Sequence, residues 1–231
     1  MADYRWGLAC WGLRETPLEG QLAMAKRLGV SLLELGIGGH GNDFIQLDAT
    51  PERLAECRAK FAAAGVDLEF GSTGNDFTVA DPAGVAAGVA AVKKAIKLGS
   101  ELGVKYLRIF AGFSPEAEVT GERWRRQVGA LREVYAYGAE CGVLPVVETH
   151  GGVEARPGGE CHHTMSTSTS MGAVRRMLGE VSGLRLNYDP ANLYAAGVDP
   201  VEFLREFRGV VSYCHLKDFV NRAGTDAWRP G

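Results

Sequence analysis

Glu148, Asp189 and His215 each stand at the downstream end of a short apolar run, in LPVVETH, LRLNYDP and VVSYCHLKD. If the three runs are parallel strands of one sheet, the three groups emerge at one rim. Two carboxylates and an imidazole form a ligand set for a divalent cation, with hard oxygen donors and one nitrogen. Each residue also has an ordinary explanation. Glu148 could be a salt-bridge partner, because a carboxylate ending an apolar strand is costly unless something pairs with it. Asp189, directly before Pro190, could cap a helix or form a turn, and His215 could be a satisfied core imidazole. Three such groups on successive strand ends weigh towards metal.

The elements that must position this trio are announced by a repeated junction. A helical stretch ends in Gly, then Val or Leu, and a short apolar run begins: Gly29-Val30, Gly65-Val66, Gly103-Val104, Gly142-Val143, Gly183-Leu184 and Gly209-Val210. Glycine closes a helix in the left-handed conformation, and the residue after it starts a strand. The intervals of 36, 38, 39, 41 and 26 residues suit strand-helix units. Helical faces precede the glycines: Leu18, Leu22 and Ala25; Leu54, Cys57 and Phe61; Val85, Val89, Val92 and Ile96; Trp124, Val128, Leu131 and Tyr135. Thr16-Pro17, Thr50-Pro51, Asp81-Pro82 and Asp199-Pro200 each put a capping side chain before a proline at the first helical position.

Seven strands are expected, near 6–12, 30–36, 66–72, 104–111, 143–149, 184–189 and 210–216. Apolar on both faces, they read as parallel strands covered by helices. The alternatives are a closed (β/α)8 barrel and an open doubly wound sheet. No GxGxxG follows the first strand, and GIGGHGND at 36–43 has the spacing of neither that fingerprint nor a Walker loop. Function clustered at the ends of strands five to seven is the habit of barrels, so the expected fold is an α/β, (β/α)8 TIM barrel in one domain over 1–231.

Composition sets the outer limits. The 231 residues are 46% hydrophobic and 23% charged with net charge −3, which fits a globular protein and gives no basic excess for nucleic acid. Five cysteines without a CxxC pair read as reduced thiols, mostly in the core, and the N-terminus has no signal-peptide character. No stretch is long and apolar enough for a membrane span. A cytoplasmic location is expected.

The motifs VVETHGG, LNYDPANLY and VSYCHLKD, with GVKYLRIFAG at the fourth strand, resemble the xylose-isomerase-like TIM-barrel superfamily over essentially the whole chain. That superfamily includes sugar-phosphate isomerases and epimerases, inosose dehydratases and endonuclease IV. The resemblance implies one divalent ion (Mn, Mg or Co, with Zn also open) on Glu148, Asp189 and His215. It also implies a small polyhydroxy or sugar-phosphate substrate. The chemistry it implies is isomerisation or epimerisation: a proton leaves the carbon next to a carbonyl, and the metal stabilises the enediolate. Glu148 would be both ligand and acid/base catalyst. A dehydratase could use the same start, and an inactive barrel is the non-enzymatic alternative. A hydrolase of abasic DNA would want more histidines and a basic groove.

Further candidates for substrate contact are His150, two residues beyond Glu148, and Lys217 in HLKD. Glu34 and Arg108 on strands two and four are others. Asn192 stands where many relatives of the resembled superfamily carry a substrate-contacting histidine. The segment 153–170, VEARPGGECHHTMSTSTS, reads as a loop, either a solvated lid or a substrate contact through His162, His163 and the Ser/Thr run. The tail VNRAGTDAWRPG holds neither an eighth helix nor an eighth strand, against about 250 residues in a usual barrel. The expectation is therefore a barrel lacking its eighth unit, the family's last glutamate and one ligand. Its open strand edges would favour pairing with another copy, as a homo-oligomer.

Overall fold

The computed structural model describes residues 4–39, 41, 44–221 and 227–230. His40, Asn42 and Asp43 of the glycine-rich segment, and Arg222–Asp226 and Gly231 of the tail, lie outside the described residues.

Among the described residues, parallel strands alternate with helices: β1 (Gly7–Ala9), α1 (Leu18–Leu28), β2 (Leu32–Gly36), α2 (Pro51–Ala64), β3 (Phe70–Ser72), α3 (Pro82–Leu102), β4 (Tyr106–Ile109), α4 (Gly121–Cys141) and β5 (Leu144–Glu148). A hairpin of β6 (Gly152–Ala155) and β7 (Cys161–Thr164) follows, then α5 (Met171–Glu180), β8 (Leu186–Tyr188), α6 (Pro190–Ala195), α7 (Pro200–Phe207) and β9 (Val211–Cys214). Two short strands, β10 (Phe219–Asn221) and β11 (Trp228–Pro230), end the chain. The parallel sheet runs β1-β2-β3-β4-β5-β8-β9. That order follows the chain without reversal, whereas a doubly wound sheet needs a switch point where the order turns back. The fold is thus the α/β barrel type with seven of its eight strands.

The apolar stripes expected of α1 to α4 are buried in full. Gly29 and Gly65 close α1 and α2 with φ of 68° and 67°, as the junction pattern requires. Gly209 does not follow it and lies within a 3-10 turn over Arg208–Val210. Thr50, Asp81 and Asp199 cap as expected. Thr16 does not: α1 starts one residue later, at Leu18, and Gln21 Nε2 donates to the Leu13 and Thr16 carbonyls instead.

Two compact units divide the chain. The first (1–74, 90–109 and 136–145) contains β1 to β4, with α1 packed on α2. The second (75–89, 110–135 and 146–231) contains most of β5, everything after it, and the residues of the candidate centre.

One expectation about the second unit is corrected. Segment 153–170 is no simple loop: Val153 pairs with His163 and Ala155 with Cys161 around a turn through Gly158 and Gly159 at φ of 81° and 76°. The tail, expected to hold no eighth barrel strand, adds none to the parallel sheet among the described residues but carries two short strands of its own. β10 and β11 extend the hairpin into an antiparallel sheet of order β10-β11-β7-β6, apart from the parallel one. The missed signal was PGG between two runs of strand length. Gly151 and Gly152 bring the hairpin in close, since a Cβ on Gly151 would meet the Thr164 carbonyl oxygen at 2.3 Å.

Candidate metal centre

Strand register in the second unit puts the trio on one face. Glu148, the last residue of β5, pairs with Asn187 of β8. Paired residues in parallel strands point the same way, and so does Asp189, two residues after Asn187. His215 joins them because of an irregularity. Leu186 pairs with Val211, but Asn187 pairs with Tyr213 and Tyr188 with Cys214, so Ser212 is an extra residue in β9. This bulge levels His215 with Asp189, and the His215 N–H donates to the Tyr188 carbonyl at 3.0 Å. Without it the alternation would turn the imidazole to the opposite face.

Each member offers one ligand atom, and these lie within 4.8 Å of one another. Atoms sharing one cation stand at most about 4.4 Å apart, twice a metal–oxygen bond, so closure needs only a few tenths of an ångström. Glu148 Oε1 is 3.7 Å from His215 Nδ1. Glu148 and Asp189 are buried. Two buried carboxylates and an imidazole suit a dication, and the donor set fits the implied metal. Burial pushes the Asp189 carboxyl above the usual range; Lys217 pulls it back and Glu148 adds to the rise. The capping and ligand explanations of Asp189 are compatible, since Oδ1 accepts the Asn192 N–H at 2.9 Å and Oδ2 faces Lys217 Nζ at 2.9 Å.

His215 is less enclosed than its sequence suggests. β9 is an edge strand, its residues alternating between half-buried and exposed, and Cys214 and Leu216 face solvent. Asn192 is fully buried and donates from Nδ2 to Glu148 Oε1 at 3.1 Å. It thus touches both carboxylates, one through its backbone and one through its amide. Sequence spacing placed Asn192 near the site but could not show that its partner is Glu148.

His150 lies beyond the end of β5. Its Nδ1 is 2.6 Å from the Gly151 carbonyl, and its ring stands edge-on to Phe110 and Phe113 at 5.2 and 5.4 Å. The Ser/Thr run is not a solvated lid. Ser166, Thr167, Ser168 and Thr169 are buried; Ser166 and Ser168 hydroxyls donate to the His150 carbonyl at 2.7 and 3.1 Å, and Thr167 accepts from Gln127. Glu34 and Arg108 belong to the first unit, in a buried polar cluster with Cys10, Ser72 and Thr73. Glu34 lies inside β2, whose pairing continues to Gly36 opposite Ser72. Arg108 Nη1 donates to the Thr73 carbonyl at 2.9 Å, and burial first, then Glu34, drives the Cys10 thiol up to about 12.

His163, offered by the sequence with His162 as a substrate contact in a loop, stands on a strand instead. It is buried on β7, with Cys161 Sγ 3.4 Å from its Nε2 and the Phe219 ring at 5.1 Å. Burial, then His150, Lys217 and His162, lowers its pKa from 6.5 to about 4. The folded chain therefore resists a proton that the unfolded chain accepts. Stability from this group is whole above about pH 6.5 and is lost as pH falls towards 4, by about 3 kcal/mol in total. Urea midpoints at pH 7 and pH 5 should differ more for the wild type than for His163→Phe. Equal differences would show that His163 does not set this dependence.

Among the described residues no helix is long and apolar enough to cross a membrane. No curated protein matches the chain. A family model described as xylose isomerase-like TIM barrel matches residues 22–230. The chain belongs to this family. Solved structures with the same fold include a probable 3-DHS dehydratase, AsbF, involved in petrobactin synthesis in Bacillus anthracis. It is 17% identical with TM-score 0.73, over 94% of this chain and 74% of that one. A xylose isomerase domain protein from Planctomyces limnophilus is 20% identical with TM-score 0.68, over 100% and 79%. D-allulose 3-epimerase from Methylomonas sp., in complex with D-allulose, is 16% identical with TM-score 0.70, over 94% and 73%. At these identities the xylose isomerase-like chain shares a fold with each.

Proposed function

We propose that this chain is a divalent-cation-dependent enzyme that removes a proton next to a carbonyl of a small polyhydroxy substrate, as a sugar isomerase or epimerase does. The observation that carries the proposal is the Glu148, Asp189 and His215 set, with ligand atoms within 4.8 Å on one strand-end face. Family membership and the epimerases of like fold support it. Glu148, Asp189 and His215 would hold the ion; the oxygen-rich set suits Mn or Mg, and the imidazole admits Co or Zn. A cation there supplies Lewis acidity to a substrate oxygen as charge develops on it.

The rest falls to the chain's own side chains. Glu148 takes the proton, its carboxylate oriented by the amide of Asn192. Burial of Glu148 and Asp189 keeps bulk water from the carboxylates. Lys217 and His150 are the polar groups that would meet substrate oxygens. A dehydratase is the second reading, and Lys217 favours it: elimination needs a proton for the departing hydroxyl, and this ammonium lies beside Asp189.

Incubation with Mn2+ and a panel of ketoses in deuterium oxide tests the proposal. Deuterium should enter at the carbon next to the carbonyl. Loss of water with a rising enone absorbance would favour the dehydratase, and cleavage of abasic DNA without sugar exchange would overturn both.

A further inference from the structure

Lys217 stands on the carboxylate that the metal would need. Its Nζ is 2.9 Å from Asp189 Oδ2, while the other Asp189 oxygen already accepts the Asn192 N–H. Asp189 is fully buried, so the pair is shielded from water on the carboxylate side, whereas the lysine side chain is 37% exposed. A cation shared by Glu148, Asp189 and His215 would come within about 5 Å of this ammonium, one metal–oxygen bond plus the ion-pair distance. At that range in a buried corner two positive charges repel strongly. The ammonium has a second hold. It already lies over the Phe219 ring, 5.4 Å from the centroid, an aromatic face that attracts it independently of Asp189.

We propose that Lys217 competes with the divalent ion for Asp189 and so sets how tightly this chain holds its metal. The inference rests on the metal reading above. The ion must draw Asp189 away from the ammonium before the carboxylate can ligate, and the displaced lysine keeps its place over Phe219 and turns to solvent. Glu148, the other carboxylate at this corner, accepts from Asn192 Nδ2 and lies 3.7 Å from His215 Nδ1.

The test is calorimetric titration of the whole chain with Mn2+, comparing wild type, Lys217→Met and Lys217→Arg, with Lys217→Gln as a second neutral variant should the methionine protein not fold. The neutral variants should bind Mn2+ at least about tenfold more tightly than wild type. Lys217→Arg, which keeps the charge, should stay close to wild type. Thermal melts give a second readout: without added metal a neutral variant should melt below wild type, and its gain on adding Mn2+ should be larger. Equal or weaker Mn2+ binding by both neutral variants would overturn the competition while leaving the metal centre standing. Absence of Mn2+ binding in every variant, wild type included, would remove the metal centre and the competition together.

Discussion

Glu148→Gln is expected to lower turnover by about 1,000-fold or more while leaving the fold intact. The substitution changes one oxygen to nitrogen with no change in size, so the buried strand end keeps its packing. Asn192 Nδ2 donates to Glu148 Oε1, and the glutamine carbonyl oxygen can accept that bond in place of the carboxylate. What is lost is charge and basicity. A neutral amide cannot take a proton from carbon, and it is a poorer ligand for a hard cation. A thousandfold loss corresponds to about 4 kcal/mol of barrier, and removal of a proton acceptor that is also a ligand justifies that size. Deuterium exchange into a ketose substrate, with elemental analysis of the purified variant, checks it. Exchange at the wild-type rate would remove Glu148 from the reaction. In the double variant Glu148→Gln/His215→Ala, which deletes two of three ligands, retained stoichiometric metal would place the ion elsewhere.

The parts of this arrangement differ in how openly the sequence declares them. Glu148 and Asp189 are visible because a charged residue ending a run such as LPVV or LRLNY violates the apolar pattern, and only pairing or function explains that. The helix stripes and most junction glycines are visible for the same reason: burial and a left-handed turn each leave few residue choices. His215 is half visible. Its place at a strand end can be read from VVSYC, but its facing depends on the bulge at Ser212, and nothing in the local residues distinguishes a bulged strand from a regular one. The register of β9 is decided by its pairing with β8, which is long-range information. The hairpin and tail are the least visible. Each of β10 and β11 has three residues, too few for alternation to show, and they exist as strands through pairing with each other and, for β11, with β7. The burial of Ser166 to Thr169 was also hidden, since a run of hydroxyl side chains reads as solvated until its acceptors, such as the His150 carbonyl, are known.

Phe203→Ala is expected to destabilise the chain by about 3–5 kcal/mol, the range for deleting a fully buried aromatic ring. Phe203 on α7 is 0% exposed. Its ring stacks on Tyr188 with centroids 6.4 Å apart and meets Phe207 at 4.6 Å. The Tyr188 hydroxyl donates to the Pro200 carbonyl at the start of the same helix, at 2.9 Å. Tyr188 is the residue before Asp189, and its own carbonyl accepts the N–H of His215. The ring therefore holds more than the core of the second unit: it backs a residue whose backbone links two of the proposed ligands. A stability loss should thus come with a weaker grip on the metal. Urea denaturation measures the first effect and Mn2+ titration well below the unfolding midpoint the second. Phe203→Leu keeps most of the volume and should recover much of both. A variant that unfolds early yet binds Mn2+ as tightly as wild type would show that the strand ends of β8 and β9 hold the ligands without support from α7.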